Sequence, residues 1–470
     1  MLLAAACDEA ASGGDGDAPT PPPSAALSGD RPVVMSARLV CRLASDSPDA
    51  QAAQITGVDG TQSAVAGGTT YWFFGDTVRR GPTGQDVIPA SVATADDRDA
   101  RDCLDLRFKQ DGGLATPLFP RLDETTAWPD GVLPLDDGGI LFYMVKAYRQ
   151  SPFAWHVGAI GVGRVLPGSV EGVRVNETIW DEGSGFGARV AGAGSLIRQG
   201  DDVLVYLRLD DGRIVLARAP IAQAAEASAY EYRTDDGWSS EPADAVPVFP
   251  AESDGVLPAD NGVHVTFDDR LGSWLAIYNA QLGRLEARTA PYPWGPWSTP
   301  AHWFDCRAFV MDRYPYCYSA QLHRHLTSAD GQTIYITFSS QQPYDVALME
   351  LRLGAPVHAW RDTFGAVRYA FDPPGDGWTD AGVAFYASTA PAHGLSPVFE
   401  RTGDGASTYT LDASGGGAPV FYAHSTTVAE GMRLTAVRAT GGELRAGGDN
   451  GDVVFFVPCA GAPADAGGCE

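Results

Sequence analysis

Along most of the chain, short runs of apolar residues recur between polar turns, and the runs are too short and too closely spaced for helices. Gln62 to Ala66, the pair Gly67-Gly68 and the return run Thr70 to Phe74 form one such unit. A glycine pair supplies the positive φ angles of a tight turn, so the unit reads as a β-hairpin. Its return strand recurs as Ile140-Leu141-Phe142-Tyr143-Met144, Val203-Leu204-Val205-Tyr206-Leu207, Trp274-Leu275-Ala276-Ile277-Tyr278 and Ile334-Tyr335-Ile336-Thr337-Phe338. The spacing is roughly 60–70 residues, somewhat longer than a common propeller blade, with loops taking up the excess. Polar turns such as Asp136-Asp137-Gly138-Gly139 and Gln199-Gly200-Asp201-Asp202 precede the return strands. Third strands follow at Ile214 to Arg218, Leu285 to Arg288 and Val346 to Leu351. Helical periodicity is nearly absent, with one short helix expected over Ile221 to Ser228.

Five similar hairpin-led units predict an all-β chain: a five-bladed β-propeller with a small C-terminal β domain. An early strand, Val33 to Leu43, would complete the last blade and close the ring. Residues 31–354 are assigned to the propeller. Past Leu353 the rhythm changes to Gly-rich loops and short strands, and Pro397-Val398-Phe399 is echoed by Pro419-Val420-Phe421-Tyr422. Residues 355–470 are therefore read as an accessory β domain, either binding carbohydrate or acting as a cap.

The first 30 residues belong to neither part. Met1 to Cys7 resembles the end of a bacterial lipoprotein signal, with Cys7 as the acylated residue. A low-complexity Gly/Ser/Pro/Asp tether follows from Asp8 to Asp30. The expectation is an exported protein, lipid-anchored at the cell surface or in the periplasm, or secreted. Six further cysteines, with no CxxC or CxxH spacing, suit disulfides. Cys306–Cys317 and Cys459–Cys469 are local pairs, which leaves Cys41–Cys103. The formal net charge of −26 excludes a nucleic-acid partner, because phosphate binding needs an excess of Lys and Arg. No apolar run approaches the about 20 residues that span a bilayer.

A hairpin brings its two open ends together, so Asp59 before the first strand and Asp76 after the second should share one face. If the blades are equivalent, the residues before each first strand gather around the axis: Asp59, Asp130, Arg189, Asp260 and Tyr318. So do those after each second strand: Asp76, Lys146, Arg208, Asn279 and Ser339. Paired carboxylates beside aromatic side chains suit acid–base chemistry on a sugar. Asp59, Asp76 and Asp130 are the catalytic candidates, and Trp128, Trp155, Arg189, Asp260, Asn279 and His323 the substrate-binding ones. Asp59 and Asp130 also stand beside glycines, where aspartate commonly serves as a turn residue. His323 and His325 alternate like strand residues, one toward the axis and one toward solvent. No metal set is visible; a propeller axis can hold a calcium ion, but nothing in the sequence marks one. There is no Gly-x-Ser-x-Gly elbow, no His-Glu-x-x-His and no phosphate-binding glycine loop.

Asp59-Gly60 followed by Trp72-Phe73-Phe74-Gly75-Asp76-Thr77 resembles the opening signature of the bacterial family labelled domain of unknown function 4185. Leu216-Ala217-Arg218, Tyr230-Glu231-Tyr232 and Gly237-Trp238 resemble its middle. Ala290-Pro291, Pro293 to Ser298, His323 and Phe338-Ser339 resemble its end. The resemblance covers about residues 33–353. It implies a five-bladed propeller related to glycosidases, some of whose members are endo-acting hydrolases of D-arabinan, with Asp59 and Asp76 at the matching positions. The chain departs from the pattern before the fourth blade, where Asn261-Gly262 stands in place of Gly-Glu and Asp260 is the nearest acid. The function expected is hydrolysis of an arabinan-like polysaccharide. The alternative is a non-catalytic surface lipoprotein that binds glycan or a protein partner.

Overall fold

The computed structural model describes residues 32–459, apart from 83, 121–125, 152–153, 250–261, 281–282, 311–315, 404–405, 416, 427–428, 430–431, 441–442 and 447–451. Cys7, the tether, Asp260 and Cys469 lie outside the described residues, as does the side chain of Trp155.

Five antiparallel sheets form the blades. Blade 1 uses Thr61–Ala66, Thr69–Phe74, Ser91–Ala95 and Arg107–Phe108. Blade 2 uses Thr126–Pro134, Ile140–Ser151, Ala154–Val165 and Gly172–Asp181. Blade 3 begins with Val190–Gln199, Asp202–Leu209 and Ile214–Pro220, and blade 4 with His264–Asp268, Ser273–Ala280 and Arg284–Ala290. Blade 5 takes Cys317–Leu322, Thr333–Gln341 and Tyr344–Leu353, and its outer strand is the early segment Val34–Arg42. The ring is thus closed by chain from the opposite end of the propeller, paired from Val34↔Leu353 to Arg42↔Ala347. The first strand of each blade contacts the first strand of the next, so the five surround one axis.

The apolar runs are continuous because both faces of each middle strand are covered. In blade 1, Tyr71 and Phe73 join a cluster with Phe142 and Met144 of blade 2, while Trp72 and Phe74 join one with Tyr335 and Leu348 of blade 5. Each neighbouring pair of blades encloses one such core. Cys41–Cys103 ties the closing strand to blade 1, and Cys306–Cys317 ties blade 4 to blade 5, as expected. Cys459 is also disulfide-bonded.

Two features differ from the sequence reading. The expected helix at Ile221 is two short 3-10 turns, Ile221–Gln223 and Ala227–Ala229, and the α-helix among the described residues is Pro48–Ala52, started by Ser47 Oγ accepting from the Ala50 amide. The blade 1 hairpin also does not end at its acids. Beyond them, Ile55–Val58 pairs with Thr77–Gly81, which pairs with Gly84–Ile88, making an additional three-stranded sheet. Polar, Gly/Pro-containing segments concealed it.

The C-terminal β domain consists of a three-stranded and a six-stranded sheet around one core that includes Val357, Phe385, Phe421 and Phe455. The echoed segments are neighbours in it, with Val398 opposite Phe421. The domain is seated on blade 5, where buried Arg352 donates to Ser388 Oγ and Thr389 Oγ1 and His424 Nε2 bonds the Met35 carbonyl at 2.8 Å.

Candidate active site

The central site begins at a break between two ladders. Thr61 pairs with Phe74, and Val58 with Thr77, so Asp59-Gly60 and Gly75-Asp76 face each other across the gap. The Gly75 amide donates to the Asp59 carbonyl (2.7 Å) and to the Gly60 carbonyl (3.0 Å), while Gly60 takes φ +49°. A left-handed φ and a residue that tolerates it turn the chain here. A side chain at Gly75 would place its Cβ 2.6 Å from Asp59 Oδ1, so glycine is what lets the Asp59 carboxyl lie against this strand.

The same axial level carries irregularities in three other blades. In blade 2 the register slips between Asp130 and Val132, at Gly131 with φ +68°. In blade 3 it slips between Ala193 and Leu196, and in blade 5 between Tyr318 and Gln321, where Ser319 takes φ +54°. A bulge re-aims the side chains beside it. Gly131 also allows blades 2 and 3 to touch, since a Cβ there would lie 2.2 Å from the Gly194 carbonyl oxygen.

Together these deviations surround a cavity of about 700 Å³ at one end of the axis. Asp59 and Asp76 line it from blade 1, Trp128, Asp130 and Arg149 from blade 2, and Arg208 from blade 3. Tyr316, Tyr318, Gln321, Gln341 and Tyr344 line it from the blade 5 side, and Val78 and Val87 of the additional sheet form an apolar lip.

The three acids have different surroundings. Asp59 accepts from Tyr318 Oη (3.1 Å) and from the Tyr344 hydroxyl. Burial, reinforced by the Asp76 charge, pushes its pKa up to about 7. Asp76 Oδ1 accepts from Thr126 Oγ1 (2.8 Å) and Trp128 Nε1 (2.9 Å). Burial raises its pKa, while those two donors and the nearby Arg149 pull it back. Asp130 is likewise pushed up to about 7 by burial, against the opposing charge of Arg208. Asp130 is separated from the Asp59–Asp76 pair in sequence and blade, and Gly192 leaves room beside it: a Cβ there would lie 3.4 Å from Asp130 Oδ2 and 3.7 Å from Arg208 Nε.

The structure brings Asp59, Asp76, Asp130 and Trp128 into the cavity, and three expected site residues lie elsewhere. His323 is buried in the core between blades 5 and 1, its Nδ1 on Ser63 Oγ (2.5 Å), its Nε2 on Thr337 Oγ1 (2.8 Å) and its ring against Trp72. His325 is in a 3-10 turn rather than a strand and is half-buried. Asn279 is buried, with Oδ1 accepting the Ala320 amide at 2.9 Å, and so joins blades 4 and 5. Arg189 lies on the rim between blades 2 and 3, with Asp210 at 3.4 Å and Glu182 at 3.8 Å. Lys146 is also turned away, toward Glu177 at 2.8 Å. Arg149, Tyr316, Gln341 and Tyr344 were not singled out from the sequence. Gln341 ends the second strand of blade 5 and Tyr344 opens the third, with the turn residues Gln342-Pro343 between them. Among the described residues, no three His, Cys, Asp or Glu side chains gather as a metal-ligand set.

Fold and site define a five-bladed β-propeller with an acidic, aromatic-lined funnel. The chain belongs to the family described as Domain of unknown function (DUF4185), whose profile matches residues 44–350. No curated protein matches it. Among solved structures, it is similar to a protein from Bacteroides ovatus, with 14% identity, TM-score 0.46, and coverage of 63% of this chain and 86% of that one. It is also similar to the catalytic domain of the Coprinopsis cinerea GH62 α-L-arabinofuranosidase, with 12% identity, TM-score 0.42, and coverage of 68% and 97%. An exo-β-1,3-galactanase from Phanerochaete chrysosporium gives 10% identity, TM-score 0.40, and coverage of 91% and 93%.

Proposed function

We propose that this protein is an exported glycoside hydrolase that cleaves an arabinan-like polysaccharide with the carboxyls of its funnel. The observation that carries the reading is the Asp59–Asp76 pair: two acids facing each other in one cavity, in environments that separate their proton affinities. Such a pair assigns an acid and its ionised partner. Asp59, buried beside the Asp76 charge with two phenols and the Asp76 amide as donors and no cation among its named neighbours, keeps its proton to about pH 7 and gives it to the departing glycosidic oxygen. Asp76, with an indole donor, a hydroxyl donor and a nearby guanidinium, is the ionised partner. It serves the anomeric carbon either directly as nucleophile or as base on a water molecule, according to the separation of the carboxyls in the sugar complex. Asp130 completes the acidic set from blade 2, and the Trp128 and Tyr316 rings offer faces on which a sugar can stack.

The arabinan-like substrate rests on the family resemblance of Asp59-Gly60 and Phe74-Gly75-Asp76. Export rests on the resemblance of Met1 to Cys7 to a lipoprotein signal, and the disulfides Cys41–Cys103 and Cys306–Cys317 suit an oxidising compartment. Purified protein is to be incubated with arabinan and arabinogalactan. Release of oligosaccharides by the wild type, reduced about 10²–10⁴-fold in Asp59→Asn and in Asp76→Asn, is the expected outcome. Equal release by all three proteins removes both acids from the reaction. Retention on the polysaccharide without cleavage turns the assignment to a binding protein.

A further inference from the structure

Resting on the reading of Asp59 as the acid, we propose that Tyr318, itself held by Gln341, is a positioning residue whose hydroxyl, aimed at Asp59 Oδ2, holds that carboxyl in place and sets how readily it gives up its proton. Gln341 Nε2 donates to Tyr318 Oη at 3.2 Å, and Tyr318 Oη donates to Asp59 Oδ2 at 3.1 Å. A phenol has one proton. An amide donor on one side of the Tyr318 oxygen directs that proton to the other side, onto Asp59 Oδ2. Asp59 Oδ2 is thereby held as an acceptor, while Oδ1 lies against Gly75.

The support for this chain is local and rigid. Tyr318 is buried, stands at the blade 5 bulge and stacks on Tyr316 with centroids 5.4 Å apart. Gln341 is the last residue of the adjoining strand. Burial and the neighbouring carboxylates raise the Tyr318 pKa well above that of a free phenol, so it stays a donor throughout the working range. The other groups that face Asp59 are Tyr344, whose hydroxyl also lies 3.4 Å from the Asp76 carbonyl oxygen, the Asp76 backbone amide, which donates to the Asp59 carboxyl, and the Asp76 carboxyl. Behind Asp76 are Thr126, Trp128 and Arg149, and Asp130 and Arg208 line the same cavity.

The sign of the effect follows. A phenol that donates to Asp59 favours its ionised form, so removing the hydroxyl raises the Asp59 pKa. Activity that needs protonated Asp59 then persists to higher pH, although each turnover is slower because the proton is less well placed. A side chain that only filled space would change the rate without moving the limb.

Two readouts on Tyr318→Phe test this: the pH profile of kcat/KM on arabinan, and a carbon-13 carboxyl titration of Asp59 by NMR, assigned with Asp59→Asn. The alkaline limb and the Asp59 midpoint are both expected to rise by about one pH unit. Gln341→Ala, which leaves the phenol in place, is expected to move both in the same direction by less. An Asp59 midpoint unmoved in Tyr318→Phe overturns the proposal. Because the titration requires no turnover, a shifted midpoint in a protein that cleaves no arabinan sinks the hydrolase reading and leaves the Tyr318 linkage standing.

Discussion

Asp130 shows at the scale of one residue what a funnel acid costs. In an unfolded chain an aspartate ionises near pH 3.9, whereas burial holds Asp130 to about 7. Between those values the folded state binds the proton that the unfolded state has released, so stability falls as pH rises across that window and levels off above it. Asp130→Asn has no proton to lose. Its melting temperature is therefore expected to gain on the wild type between pH 4 and 7, by a few degrees at the upper end, and to run parallel above pH 7.5. A difference independent of pH would show that Asp130 ionises normally. Residue identity was legible for Asp59 and Asp76 because turn dipeptides at the end of a hairpin leave little choice of position. It failed for Asn279 because a residue near a strand end can project to either face. His264 pairs with Ile277, so Asn279 extends beyond its inner-strand partners and turns to the Ala320 amide of blade 5. Arg208, the corresponding residue of blade 3, is opposite Gly192 and reaches the cavity.

At the scale of elements, the site is made by departures from regular pairing. The hairpin repeats were readable because alternate side chains of each middle strand enter two different cores, giving five dense apolar runs. The breaks were harder to read. Gly131 and Gly75 are glycines for reasons of close approach, which the chain does not distinguish from turn glycines, and Ser319 gives no signal of its left-handed backbone. Gly75 isolates the consequence. Its φ is not left-handed, so alanine is tolerated by the backbone, but the new Cβ would displace Asp59 Oδ1. Gly75→Ala is expected to remain folded, with stability changed by no more than about 1 kcal/mol, and to lose about a hundredfold in kcat. Unchanged kcat would mean that the close contact between Asp59 and this strand is irrelevant to turnover.

At the scale of the molecule, no blade owns the site. Blade 1 supplies the acid pair, blade 2 the indole and the third carboxyl, and blade 5 the phenols, so the funnel exists only when the ring is closed. Closure depends on Val34–Arg42 pairing with Tyr344–Leu353 and on Cys41–Cys103. That the early strand belonged to the last blade was readable from the count of strands. The additional sheet that puts Val78 and Val87 at the cavity mouth was not, because Thr77–Gly81 carries two arginines and its continuation is polar. The most direct test is a crystal structure of Asp76→Asn with an arabino-oligosaccharide bound. The expected result is a glycosidic oxygen about 2.6–3.2 Å from the Asp59 carboxyl, with the sugar inside the five-bladed funnel. An oligosaccharide seated with both acids out of reach would contradict the assignment of this cavity as the place where the bond is broken.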